Sequence, residues 1–242
     1  MTPSGETSQK KSMSERLWVS ESGIRRGVSP NSILGATASR VLTDDPLYFA
    51  IYAARYKFVS RILNQVENLI EVGCGDGFGA TFLSKVSTNL RCFDIDERTL
   101  EDCRQRLARL SNTTFLYHDF VNSPLEDHGG KADALVMVDV LEHIYPEEEE
   151  SFLKNSLALL RSDGFAVFGT PNVEAERFAS ENSRRTHVNL KSSMALRETM
   201  EVYFDRVILL GQNDEVVHTG FFGMCHYLWA IGFSPKPRVA WR

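Results

Sequence analysis

No stretch of this chain approaches the roughly 20 consecutive apolar residues that a membrane-spanning helix needs, although 43% of its 242 residues are apolar. Met1 to Arg16 are polar and contain no apolar h-region, so no secretory signal is expected. Cysteine is scarce. Cys74, Cys92, Cys103 and Cys225 form no C-x-x-C pair, which suits reduced thiols in a cytoplasmic protein. No H-E-x-x-H spacing is present, and no metal site is expected. Basic residues are outnumbered, 27 against 32 acidic, which argues against a long nucleic-acid track. No internal repeat or low-complexity tract stands out. What remains is one α/β core of ordinary size with no nucleic-acid and no membrane partner, a homodimer being left open.

Along the chain, residues 1–22 are rich in Ser, Thr, Lys and Glu and read as flexible. Residues 23–44, with Arg25, Arg26 and Arg40, read as a partly ordered flap, so 1–44 form one N-terminal segment. Asp45-Pro46 is a helix start, an N-cap acid followed by proline. Phe49, Tyr52, Ala53, Tyr56, Val59, Ile62 and Leu63 then recur at three- and four-residue spacing as one apolar stripe. Strands are expected near 69–73, 91–95, 113–117, 134–139, 165–169, 206–211 and 224–231. Glu147 to Glu150 follow Pro146 and read as the first turn of a helix, where negative charge suits the dipole.

The chemistry concentrates in Asn68-Leu-Ile-Glu-Val-Gly-Cys-Gly-Asp-Gly77. A short buried strand runs into alternating glycines, whose bare backbone can turn sharply and approach a ligand. The unit strand, glycine loop, helix suits an adenosine-containing cofactor. Gly75, Gly77 and Ala80 also satisfy a loose dinucleotide pattern, with Asp94 and Asp96 about 20 residues on. Glu71 weighs against a pyrophosphate, which gains nothing from a second negative charge. A cationic sulfonium or ammonium group would gain.

Together with Asp139-Val-Leu-Glu-His143 after a second buried strand, these residues resemble the class I S-adenosylmethionine-dependent methyltransferases. Glu71 to Gly77 is similar to their first motif, Cys92 to Asp96 to the end of their second strand, and His118-Asp-Phe120 to their adenine loop. The post-strand motif is similar to that of ubiquinone-biosynthesis-type O-methyltransferases, and Gly164 to Asn172 resembles the fifth strand. The resemblance covers roughly residues 45 to 212. It implies an α/β, Rossmann-like, seven-stranded and mostly parallel sheet with helices on both faces over 45–242, under an N-terminal helical flap.

It also implies S-adenosyl-L-methionine as cofactor. Glu71 would serve the methionine amino group directly or by orienting the loop, and Gly73, Cys74 and Gly75 would form the cradle. Asp94, followed by Ile95, is preferred over Asp96 for the ribose hydroxyls. Asp119 and Phe120 would read the adenine, Met137 and Val138 would line the sulfonium, and Arg55 or Tyr56 would face the cofactor carboxylate.

A hydroxyl acceptor needs a base, and histidine is the natural one near neutral pH. His143 ranks first, His187 second and His218 third. His118 reads as cofactor-adjacent, His128 as a turn residue and His226 as structural. A metal held by His143, His187, His218 and Asp139 is weighed and set aside. Tyr56 to Val59, Thr170 to Asn172, His187 to Leu190 and Asn213 to Gly220 are similar to methyltransferases of bacterial surface-polysaccharide and capsule pathways. That likeness implies a sugar, phosphorylated or phosphoramidate small-molecule acceptor, with Arg184 and Arg185 suited to an anion. The rivals are an N- or C-methyltransferase, a nicotinamide-dependent oxidoreductase and a non-catalytic cofactor-binding partner protein.

Overall fold

The computed structural model describes residues 12–13, 33–125 and 130–241. Residues 1–11, 14–32 and His128, which include most of the segment expected to be flexible, the start of the expected flap and the expected turn, lie outside the described residues. Helix α1 spans Ala36–Asp44 and α2 spans Pro46–Leu63. Asp45 caps α2 as its sequence suggests, its carboxylate accepting from Tyr48 N–H at 2.9 Å. Arg55, Tyr56, Val59 and Leu63 form the buried stripe, which lies against the sheet.

Strand β1 (Val66–Val72) leads through the glycine loop to the one-turn helix α3 (Ala80–Leu83). Then come β2 (Ser87–Asp94), α4 (Glu97–Arg106), β3 (Thr113–Tyr117) and β4 (Ala132–Val138). Helix α5 (Pro146–Leu157) opens on the run of glutamates, as expected, and is followed by β5 (Leu160–Pro171). Helices α6 (Glu181–Thr186) and α7 (Ser193–Tyr203) fill the excursion before β6 (Phe204–Asn213), β7 (Val216–His218) and β8 (Tyr227–Pro235). No helix among the described residues is long and apolar enough to cross a membrane.

The sheet order is β3-β2-β1-β4-β5-β8-β6-β7. Strands β1 to β5 pair in parallel, while β8 inserts antiparallel between β5 and β6. Among the described residues the sheet therefore has eight strands where seven were expected. The addition is the three-residue β7, which folds back on β6 through a turn at Asp214 with φ +50°. Too short to show a period-2 pattern, β7 leaves no strand signature in the sequence.

Alternation along the central strands builds two cores. Ile70, Val72, Leu135 and Met137 face α5 and α7, whereas Leu69, Ala134, Val136 and Val138 face the side of α2 and α4. Strand order reverses between β1 and β4, and the crevice outside the carboxyl ends of strands at such a switch point is where open α/β sheets bind ligands.

Gly79 sits where two buried groups converge. A Cβ there would overlap the Tyr56 ring and the Glu71 carboxylate. Gly79→Ala should therefore lower stability by about 1–3 kcal/mol, the usual cost of overpacking. Chemical denaturation of the variant measures it, and an unchanged midpoint would show that the loop yields without strain.

Candidate active site

At the end of β1 the backbone enters the left-handed region at Gly73 (φ +75°), Gly75 (φ +51°) and Gly77 (φ +72°), a conformation side chains resist. At Gly73 a Cβ would also collide with Val140. At Gly75 a Cβ would meet nothing within 4 Å, so its bare backbone borders open space. Asp94, at the end of β2, holds this loop. Its Oδ2 accepts from Gly75 N–H at 2.8 Å and its Oδ1 from Asp96 N–H at 3.0 Å. Asp96 instead caps α4, accepting from Arg98 N–H, Thr99 N–H and the Thr99 hydroxyl.

The glycine loop opens into a cavity of about 1140 Å³. Tyr56, Gly73, Cys74, Gly75, Asp94 and Ile95 contribute to its wall, as do Asp119, Phe120, Val138, His143 and His187. Asp96 does not. The flap side is built by α1 and the start of α2, through Thr37, Arg40, Val41, Tyr48 and Tyr52. Asp76, within the glycine loop, tethers that flap by accepting from Ala38 N–H at 2.8 Å. Sequence reading did not single it out, although an acid lodged between glycines and lacking a strand position was a usable signal.

Two expected wall residues lie elsewhere. Met137 is 1% exposed and belongs to the core beneath α5 and α7. Adjacent strand residues face opposite ways, so Val138 reaches the cavity and Met137 does not. Glu71 is also 1% exposed and is not in the wall. It lies beneath the loop beside Gly79 and Tyr56, accepting from Cys92 Sγ at 3.4 Å. This placement suits orientation of the loop rather than direct contact. Burial pushes its carboxyl up to about 8. Asp119 lines the cavity while holding its own turn, accepting from Val121 N–H at 2.9 Å and Asn122 Nδ2 at 2.7 Å. Arg55 is 6% exposed and is spent on Asp139, to which Nη1 donates at 2.7 Å. Its guanidinium also stacks 3.9 Å from the centre of the Tyr227 ring.

Another part of the cavity wall is assembled around the exit of β4. Asp139 has φ +57°, and its reversal starts the 3-10 turn Leu141–His143. Glu142 is fully buried, with Oε2 accepting from the Thr170 hydroxyl at 3.0 Å. Its main-chain carbonyl accepts from Val188 N–H at 2.7 Å and Asn189 N–H at 3.1 Å. Those two bonds dock the excursion after β5, so that the rings of His143 and His187 lie 5.1 Å apart, edge to face. His143 Nδ1 lies 3.1 Å from the Thr186 carbonyl oxygen. A carbonyl only accepts, so Nδ1 carries the proton and Nε2 the lone pair.

Burial, then the charge of Asp139, pushes the Glu142 carboxyl well up. Burial lowers the His143 imidazole, and burial followed by His143 lowers His187 to about 4. Sequence reading gave Glu142 no role of its own, and its closeness to both imidazoles was not foreseen.

The remaining histidines are scattered. His218 lies by Asn213 Nδ2 (3.4 Å) and Cys225 Sγ (3.9 Å), outside the wall. His118 contacts the Phe120 ring and the Ser123 carbonyl. His226, expected to be structural inside an apolar strand, is exposed at the cavity rim beside Phe178, because β8 begins one residue later.

Residues 70–166 match a family described as a methyltransferase domain. A probable S-adenosylmethionine-dependent methyltransferase of Mycobacterium tuberculosis is 27% identical over 122 residues, 50% of this chain and 40% of that relative. A ubiquinone biosynthesis O-methyltransferase of Actinobacillus pleuropneumoniae is 29% identical over 111 residues, 44% of this chain and 46% of the relative. The chain thus spans less than half the length of these curated relatives. A solved structure from Thermotoga maritima, described as an S-adenosylmethionine-dependent methyltransferase and possible histamine N-methyltransferase, has the same fold. It superposes with a TM-score of 0.67 at 17% identity, covering 91% of this chain and 99% of that one.

Fold, glycine cradle and matched segment are similar to those of S-adenosylmethionine-dependent methyltransferases, and S-adenosylmethionine is the cofactor of the proteins that this chain resembles. The residues here fit it. Gly75 offers bare backbone, Asp94 offers carboxylate oxygens able to accept from further donors, and the cavity exceeds what one drug-sized ligand needs.

Two outcomes test the cradle. Asp94→Ala should weaken S-adenosylmethionine binding roughly tenfold to hundredfold, about 1.5–3 kcal/mol for a charge-assisted contact, as read by calorimetry. Unchanged affinity there, with loss in Asp96→Ala, would reassign the ribose contact. Glu71 binds its proton more tightly folded than unfolded, so its contribution is full below the ordinary carboxylate range and is lost as pH rises toward about 8. Between pH 5 and 8 the native protein should lose stability relative to Glu71→Gln, by up to about 1.4 kcal/mol per pH unit. Parallel pH profiles of unfolding would refute an elevated Glu71.

Proposed function

We propose that this chain transfers the methyl group of S-adenosylmethionine to a hydroxyl of a small polar acceptor bound at the His143–His187 end of the cavity. The observation that supports this reading is one cavity whose wall includes both the glycine cradle and these two imidazoles. When bound, the cofactor supplies a methyl group on positively charged sulfur. The chain's own contribution is positioning and proton handling. Holding two reactants in attack geometry replaces a bimolecular encounter, worth several kcal/mol of barrier. The acceptor hydroxyl must shed its proton as the methyl arrives, and the wall around the two imidazoles gathers groups suited to that task. Arg40, Tyr48 and Tyr52 line the flap side of the same cavity.

An amine acceptor is the rival, since the Thermotoga maritima structure is described as a possible N-methyltransferase while the Actinobacillus pleuropneumoniae relative carries an O-methyltransferase name. The acidic and imidazole lining favours a hydroxyl, which needs deprotonation more. The narrower surface-polysaccharide acceptor gains nothing further, because Arg184 and Arg185 are exposed on α6 and stand outside the wall.

Incubation with S-adenosylmethionine bearing a deuterated methyl group and a small-molecule cell extract should yield mass-shifted O-methyl products. His187→Asn should lower turnover about 10²–10⁴-fold while cofactor affinity moves less than about threefold. An N-methyl product would transfer the reading to amines. Full turnover in His187→Asn would remove the acceptor from this end of the cavity.

A further inference from the structure

Positioning a hydroxyl does not by itself require a fully buried carboxylate beside two imidazoles. Glu142 Oε1 is buried and has no hydrogen-bond partner among the described residues, and the same holds for Asp139 Oδ1. One cation, Arg55, faces these two carboxylates, and it pairs with Asp139. A buried carboxylate without compensation is costly, so this end of the cavity has room for one more positive charge.

The ligand atoms are already gathered. One oxygen of Glu142 and one nitrogen each of His143 and His187 lie within 4.8 Å of one another. Ligands at about 2.0–2.2 Å from an ion stand at most about 4.4 Å apart, so seating one needs only small side-chain adjustments. The Thr186 carbonyl fixes His143 with Nδ1 as donor, the outer contact that metal-bound imidazoles ordinarily make. Thr170 fixes the second oxygen of Glu142 in the same manner. Three protein ligands of the His₂-carboxylate kind leave coordination positions open for substrate.

We propose that Glu142, His143 and His187 bind one divalent first-row transition-metal ion, of the Zn²⁺, Co²⁺ or Mn²⁺ kind, which grips the acceptor's oxygen. This rests on the reading of that end as the acceptor site and specifies how the proton is lost there. An oxygen held by the ion is more acidic. Its O–H bond breaks with the proton leaving to water, and its lone pair forms the new bond to the methyl carbon. The pair of the broken carbon–sulfur bond stays on sulfur. The two imidazoles then act by holding the ion, and water takes the proton.

The test uses the full chain after treatment with chelator. Co²⁺ followed by its visible absorption, and Zn²⁺ followed by calorimetry and thermal unfolding, should each bind at one equivalent and raise Tm. His187→Asn, at a half-exposed position, should keep the fold and weaken Co²⁺ binding at least tenfold. Glu142→Gln should do the same, and an S-adenosylmethionine-dependent rise in Tm certifies that each variant is folded. No Co²⁺ or Zn²⁺ binding, or binding that survives both substitutions, would overturn the site. S-adenosylmethionine binding separates the two readings. If the cofactor binds and the metals do not, the metal fails and methyl transfer stands. If the metals bind at one equivalent and the cofactor does not, methyl transfer fails and the ion site stands.

Discussion

The acceptor side of this molecule depends on the backbone of Asp139, which leaves β4 in a left-handed conformation that a non-glycine residue adopts only when its surroundings compel it. The compulsion is visible. Its N–H donates to the Gly169 carbonyl at 3.0 Å, and its carboxylate takes the Arg55 guanidinium at 2.7 Å. Arg55 reaches it from α2 and lies over Tyr227 of β8. One buried ion pair thereby ties the flap-side helix, the fourth strand and the antiparallel strand β8. Removing Asp139 would leave the Arg55 guanidinium charged and buried, the costlier half of the pair to orphan.

From that reversal the geometry follows in order. The 3-10 turn sets Glu142 inward, and its main-chain carbonyl collects two amides from the excursion after β5. The excursion carries His187 to His143, two residues separated by more than 40 positions in the chain. Because backbone bonds make this junction, the spacing of the imidazoles is a property of the fold more than of either side chain.

The cofactor end is built on a different principle. There the chain removes side chains, through Gly73, Gly75 and Gly77, and backs the loop with Asp94 and the buried Glu71. Asp76 extends the same loop to the flap by holding the start of α1. The cradle and its cover are therefore mechanically coupled through one acidic residue.

Much of this was legible from the residues alone. Short buried apolar runs marked the long strands, Asp45-Pro46 marked α2, and strand-then-glycines marked the cradle, because these signals arise from local sequence. The choice of Asp94 over Asp96 for the cavity also follows from local geometry, since Asp96 sits where a helix cap is needed. Tertiary structure decided the rest. Whether Met137 or Val138 reached the cavity depended on which face of β4 met which helix. The sequence ranked His187 above His218, but only the docking of its excursion onto Glu142 brings His187 to His143. The short β7 had no pattern to read. Glu142 beside two imidazoles required three segments to meet, and contacts between distant segments are set by long-range packing, which no local period encodes.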